Sequence, residues 1–287
     1  VDDMGYGDPG CFNPNSKIPT PHIDSLARDG MRFTDAHAPG PLCHMSRYGL
    51  LTGRYPFRTN VNLWRKQPLI EPGQMTIASL AKAQGYRTAM VGKWHLGMDF
   101  PGESGSRDWT RPVQDMPLDK GFDYFYGIPA SLNYGVLAWF EGRHAKVPPT
   151  VFTAKKPNKR HVDYRIKPPY QTSPAETKKV LGKPGMEVAP DFVDNQCLTR
   201  FTDKAIEWMS GKAEAAKAGK PFFVYLPFTS PHYPVCPLPE FYGKGDCGGY
   251  GEFVIETDHH VGRILEFLDK SGLDKDTMVV FTSDNGP

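Results

Sequence analysis

The sequence predicts an α/β fold, a mostly parallel central sheet with helices on both faces. Short apolar, aromatic or β-branched runs end in polar turns, and amphipathic stretches with helix start and stop signals lie between them. Gly (29) and Pro (28) are frequent enough among the 287 residues to require many shaped turns, which excludes a plain helical bundle.

The strand candidates are Tyr86 to Val91, Pro221 to Phe228 and Thr277 to Thr282. They run into Gly92-Lys93-Trp94-His95, Thr229-Ser230-Pro231-His232 and Ser283-Asp284-Asn285. None alternates strictly, as expected of strands covered on both faces. A first helix starts at Thr20-Pro21, buries Ile23, Leu26 and Ala27, and stops at Gly30. A second runs from Thr76 to Gln84 and stops at Gly85. A third spans residues 191–217, with Phe192, Leu198, Phe201, Ala205, Trp208 and Met209 near helical spacing. A fourth spans residues 250–270, with Phe253, Val254, Val261, Ile264, Leu265 and Leu268 on one side.

Residues 141–190 break this rhythm with eight prolines. Between 155 and 183, Lys155, Lys156, Lys159, Arg160, Arg165, Lys167, Lys178, Lys179 and Lys183 face only Asp163 and Glu176. The segment reads as a long basic, Pro-rich insert, either a lid or a solvated loop.

The net charge of +2 argues against a general nucleic-acid or membrane-surface partner. No apolar run reaches the roughly 18 residues of a membrane-spanning helix. Aromatic residues at 12% exclude disorder along the whole chain. Five cysteines, Cys11, Cys43, Cys197, Cys236 and Cys247, match no zinc or redox spacing. Cys236 and Cys247 are spaced either to close a short loop or to remain free thiols. The chain opens on Val1-Asp2-Asp3 and closes on Asp284-Asn285-Gly286-Pro287, acidic turns that read as cut edges. Residues 1–287 are therefore expected to be a fragment cut at both ends.

In open α/β sheets, ligands bind beyond the carboxyl ends of the strands. That singles out Lys93, His95, His232, Asp284 and Asn285, with Asp2 and Asp3 in the equivalent position after a preceding strand. Asp2, Asp3, Asp284 and Asn285 are hard oxygen donors that suit calcium, or as second choice magnesium. Each pair alone is also an ordinary turn sequence. The segment from Cys43 to Arg54 follows a Pro39-Gly40-Pro41 turn and reads as the start of a helix, where the dipole favours an anion. Cys43 and Arg47 share one helical face. From the residues alone, Cys43 is either a nucleophile over an oxyanion site or a buried thiol. His37, His44, His259 and His260 read as structural or surface residues.

These segments resemble the formylglycine-dependent (type I) sulfatases, arylsulfatase-like enzymes of the alkaline phosphatase superfamily. The family signature Cys-x-Pro-Ser-Arg-x-x-x-Leu-Thr-Gly-Arg matches residues 43–54 except at Met45, which replaces Pro. Asp2-Asp3-Met4-Gly5-Tyr6-Gly7-Asp8, Gly92 to Gly97, Pro231 to Pro234 and Ser283 to Gly286 match further family blocks in order. The resemblance implies an alkaline phosphatase-like fold, with residues 1–287 a catalytic domain incomplete at both ends and a smaller C-terminal domain missing, and a sulfuric ester hydrolase acting on an aryl or carbohydrate sulfate. It implies that Cys43 is converted to formylglycine by a maturating enzyme, that its hydrate attacks sulfur, and that sulfate is then expelled. It assigns the cation to Asp2, Asp3, Asp284 and Asn285, with the modified Cys43 as inner-sphere neighbour. Arg47 would hold the hydrate, Lys93 and His232 the sulfate, and His95 would act as base. His232 would also protonate the leaving oxygen, and Ser131 is a further sulfate contact. Sulfated small molecules or polysaccharides are the implied partners, and a periplasmic, secreted or lysosomal location follows. A phosphate or phosphonate ester hydrolase of the same superfamily and a non-catalytic sulfated-glycan binding protein are the alternatives.

Overall fold

A computed structural model describes residues 1–153, 174–182 and 185–287. Helices α1 (Pro21–Asp29), α2 (Cys43–Thr52) and α3 (Ile77–Ala83) precede strands β1 (Arg87–Lys93) and β2 (Tyr124–Ile128). The short strands β3 (Val136–Leu137), β4 (Phe140–Glu141), β5 (His144–Ala145) and β6 (Val151–Thr153) follow. After them come α4 (Pro174–Leu181), β7 (Met186–Val188), α5 (Cys197–Ser210), α6 (Ala213–Lys217), β8 (Phe222–Tyr225) and α7 (Gly248–Lys270).

The main sheet has the order β5-β4-β2-β1-β8. β1 pairs in parallel with β2 and β8, while β4 and β5 form an antiparallel edge. A second sheet has the order β3-β7-β6. Residues 88–93 of β1 are all buried, so the central strand is covered on both faces. Register separates those faces. Tyr124 and Tyr126 lie on the side of α5, against Trp208 and Phe201, and α7 packs behind α5. Phe223 and Tyr225 of β8 alternate to the other side, against Phe122 and toward α2 and α3.

Local signals explain the helix ends. Thr76 and Ser79 form a reciprocal capping box at α3. Gly53, in the left-handed region at φ 66°, closes α2 by donating its N–H to the Gly49 carbonyl. At the carboxyl end of β1, Gly92 has φ 137°, and a Cβ there would stand 2.2 Å from the Pro227 oxygen. Only glycine lets β1 and the chain after β8 approach this closely beneath the site.

Several expectations need correction. Thr277 to Thr282 forms no strand ladder; it is extended beside the first residues only. Val1 donates to the Thr282 carbonyl at 2.8 Å and the Asp284 N–H to the Val1 carbonyl at 3.1 Å. The expected helix over 191–217 is divided. Phe192 turns inward against Trp139, with ring centroids 4.5 Å apart, before α5 begins, and Gly211 separates α5 from α6. The 141–190 insert is not simply loop, because its described parts carry β5, β6, α4 and β7. Lys155, Lys156, Lys159, Arg160, Arg165, Lys167 and Lys183 lie outside the described residues. Cys236 and Cys247 are not joined to each other, and no disulfide links any of the five cysteines. Among the described residues no helix is long and apolar enough to cross a membrane.

Candidate active site

Four chain segments meet beyond the carboxyl ends of β1 and β8. Asp2 is locked beside His232 by backbone pairing: its N–H donates to the Ser230 carbonyl at 2.8 Å, and its carbonyl accepts from the His232 N–H at 3.0 Å. The Asp3 N–H donates to Asp284 Oδ1 at 3.2 Å, and Asn285 Nδ2 donates to Asp3 Oδ1 at 2.6 Å. Both acidic pairs therefore meet, although neither follows a strand of the sheet. Asp3 (φ 61°) and His95 (φ 63°) are two of three non-glycine residues with positive φ among the described residues. Such backbone strain concentrates at functional positions.

Helix α2 points its first turn into this cluster. Extended Leu42 precedes it and supplies no side-chain cap, and Cys43 is its first residue. Cys43 Sγ lies 3.7 Å from Asp3 Oδ1. One turn later, Arg47 is 1% exposed. Its Nε and Nη2 each stand 2.9 Å from Asp284 Oδ2, its Nη1 donates to the Lys93 carbonyl at 2.8 Å, and Nη2 is 3.8 Å from Asp2 Oδ1. Lys93 Nζ, fully buried, pairs with Asp2 Oδ2. His232 Nε2 is 3.5 Å from Asp3 Oδ2, while Nδ1 contacts the Tyr233 carbonyl.

Burial and charge act together on these groups. Burial alone would raise the Asp2 carboxyl, but Lys93 and Arg47, with His232, hold it well below the carboxylate range. Burial and the Asp2 charge push Asp284 up, against Arg47 and Lys93. Burial drives the Cys43 thiol far up; Lys93 opposes this, while Asp2, Asp284 and Asp3 add to it. This shift disfavours the nucleophilic thiolate. Burial lowers His95, and the Lys93 and Arg47 charges push it further down. Burial likewise lowers His232 against the pull of Asp2.

The residues fit a hard divalent cation. One ligand atom each from Asp2, Asp3, Cys43 and His232 falls within 4.8 Å of the others. Asp2 Oδ1 and Asn285 Oδ1 are buried without hydrogen-bond partners. Two orphaned oxygens, one carboxylate and one amide, beside the Asp3 carboxylate suit calcium or magnesium, whereas a soft sulfur does not. The Asp284 carboxylate faces the same cluster, with Oδ2 accepting from Arg47 and Oδ1 from the Asp3 N–H.

The ring of His95 borders a second group of side chains. Trp64 stands 4.3 Å from it edge-on, and His44 and Tyr134 are each 5.7 Å away between ring centroids. Both His95 nitrogens and His44 Nε2 are buried without partners. The sequence reading left His44 as structural or surface. It is buried at this wall, its imidazole lowered to about 4 by burial and by the charges of Arg65 and Lys93. Trp64, Arg65 and Tyr134 went unremarked; the only available signal was the position of His44 beside Cys43. Ser131 follows β2, and its buried Oγ has no hydrogen-bond partner. His37 is exposed, whereas His259 and His260 are structural residues of α7.

Comparison with known proteins agrees with this geometry. The family model described as Sulfatase matches residues 1–287. An N-acetylgalactosamine-6-O-sulfatase of Bacteroides thetaiotaomicron is 32% identical over 311 residues, covering all of this chain and 58% of that protein. Human arylsulfatase A is 33% identical over 292 residues, covering all of this chain and 51% of that protein. A 6S-sulfatase structure from work on glycosaminoglycan metabolism by Bacteroides thetaiotaomicron superposes with TM-score 0.80 at 30% identity, covering 100% of this chain and 61% of that one. The chain thus spans about half the length of the curated relatives it matches, and its structural neighbours have the alkaline phosphatase-like fold.

Proposed function

Because the chain belongs to the sulfatase family, we propose that the full-length protein hydrolyses the sulfate ester of an aryl alcohol or a carbohydrate, using a formylglycine made from Cys43. One observation carries this reading. Cys43 opens a helix into a pocket of carboxylates and cations, its Sγ 3.7 Å from Asp3 Oδ1. A soft sulfur suits that oxygen-donor setting poorly, whereas an oxygen replacing it would be a hard ligand and a competent nucleophile. Met45, where the signature has Pro, makes the maturating enzyme's recognition of this segment a specific point to test.

A divalent cation held by Asp2, Asp3, Asp284 and Asn285, together with formylglycine at position 43, would supply Lewis acidity and an activated oxygen nucleophile. The chain's own residues supply the rest. Asp2, Asp3 and Asp284 against Arg47 and Lys93 leave one negative charge, which a dication inverts to one positive charge suited to a sulfate monoester. Arg47 fixes the α2 first turn relative to Asp284 and balances the buried carboxylates. Lys93 Nζ provides the fixed positive charge for sulfate oxygens. Neutral His95 can take up a proton as base. His232 carries a proton to the leaving oxygen, and the negative charge of bound sulfate favours its protonated form.

Assay of the full-length protein on an aryl sulfate and on the matching aryl phosphate tests this reading. A kcat/KM at least about 100-fold higher for the sulfate, a transition-state difference of roughly 2.7 kcal/mol, is expected. A preference for phosphate or phosphonate would overturn it, and so would binding of sulfated glycans without turnover.

A further inference from the structure

The wall beyond His95 has a composition that sulfate chemistry alone does not require. Trp64 and Tyr134 meet edge to face with ring centroids 5.3 Å apart. The Arg65 guanidinium lies over both rings, 5.2 Å from the Trp64 centroid and 4.8 Å from that of Tyr134. Both rings are part-exposed and Arg65 is exposed. Among the described residues no carboxylate pairs with Arg65. Two aromatic faces thus hold the guanidinium in place, while its N–H fork is left to other partners. Residues 36–70 contain no Asp or Glu, and apart from the buried, paired Arg47 their cations are Arg54, Arg58, Arg65 and Lys66. Asn133 Oδ1, beside Tyr134, is buried and unpartnered.

We infer that Trp64, Arg65 and Tyr134 form a recognition platform for a sugar sulfate bearing a second anionic group beyond the scissile one. The inference rests on the sulfatase reading above and deepens it. The aromatic rings offer an apolar surface for the C–H face of a pyranose. The guanidinium fork matches the planar oxygens of a carboxylate or two oxygens of another sulfate. A neutral aryl group would use only the first of these features. The ring contacts with His95 set the platform directly beside the group that handles the reacting proton.

The test is steady-state kinetics of the full-length protein and its Arg65→Gln variant on three matched substrates. These are a monosulfated neutral sugar, a monosulfated disaccharide with a uronate, and a disulfated sugar. Because hydrogen bonds to charged groups are strong, KM for at least one doubly anionic substrate should rise about tenfold more than KM for the neutral sugar, with kcat little altered. The arm showing the larger effect identifies the second anion as carboxylate or sulfate. Arg65→Lys, which keeps the charge but not the fork, should recover only part of the loss. Equal changes on all three substrates, or none, in a protein that hydrolyses them would overturn the platform while leaving the sulfatase reading intact. Absence of turnover by the unaltered protein on every sulfate ester would instead count against that reading.

Discussion

Arg47 and Asp284 are joined by two contacts of 2.9 Å, from Nε and Nη2 to a single carboxylate oxygen, across 237 residues of sequence. The guanidinium also reaches the Lys93 carbonyl and approaches Asp2, so one side chain ties α2 to β1 and to both acidic turns. Nearly complete burial makes the arrangement strong only while every charge keeps its partner.

Removing that partner should be costly. Arg47→Met leaves Asp2 and Asp284 undercompensated and is expected to destabilise the full-length protein by about 3–5 kcal/mol in urea denaturation. Arg47→Lys, which keeps the charge but loses the fork, should cost less. A loss below about 1 kcal/mol for Arg47→Met would show that the buried carboxylates are satisfied by other means.

A cation should stabilise the protein measurably. Treatment with EDTA is expected to lower the thermal midpoint and abolish turnover, and calcium should restore both. Occupancy at 100 times Kd corresponds to about 2.7 kcal/mol. Asp3→Asn, which removes a carboxylate beside the unpartnered oxygens of Asp2 and Asn285, should weaken calcium binding in calorimetry. Unchanged affinity in that variant would remove Asp3 from the ligand set.

Away from the site, α7 carries a buried pair whose titration predicts a pH profile. Burial and the charge of Glu240 push Glu256 from 4.5 up to about 8, against a hydrogen bond from the Leu238 N–H. Burial and the Arg263 charge lower His260 from 6.5 to about 4. Their nearest atoms are 3.8 Å apart, and neither of these atoms has a hydrogen-bond partner, consistent with a neutral acid beside a neutral imidazole. Between 4.5 and 6.5 the two effects oppose each other. Above 6.5 His260 is neutral in both states, while the unfolded chain releases the Glu256 proton that the fold retains. Stability should therefore fall between pH 6.5 and 8, by about 1.4 kcal/mol per unit relative to Glu256→Gln. Denaturation of both proteins at pH 6.5, 7.2 and 8 checks this; parallel curves would show that Glu256 is ionised in the fold.

Much of this architecture is legible in one dimension because its causes are local. The apolar runs mark β1 and β8, Thr76 and Gly30 mark helix ends, and polar residues just past the strands supply part of the site. Thr277 to Thr282 has strand composition, yet a ladder needs a partner, and only the first residues lie alongside. Composition also cannot reveal which distant rings converge. Trp64 and Tyr134 carry no local mark of function, and His44 resembles any core histidine until β1 sets His95 against it. Nor do the acidic turns announce that Arg47 would occupy the Asp284 carboxylate.

The identity of the side chain at position 43 decides the account. Mass spectrometry of the tryptic peptide Phe33 to Arg47, from full-length protein produced with a maturating enzyme and verified as hydrolysing an aryl sulfate, reads it directly. The account predicts an aldehyde at this position, trapped by a hydrazine reagent and absent from a Cys43→Ser variant that has lost turnover. An unmodified thiol throughout a fully active preparation would contradict it.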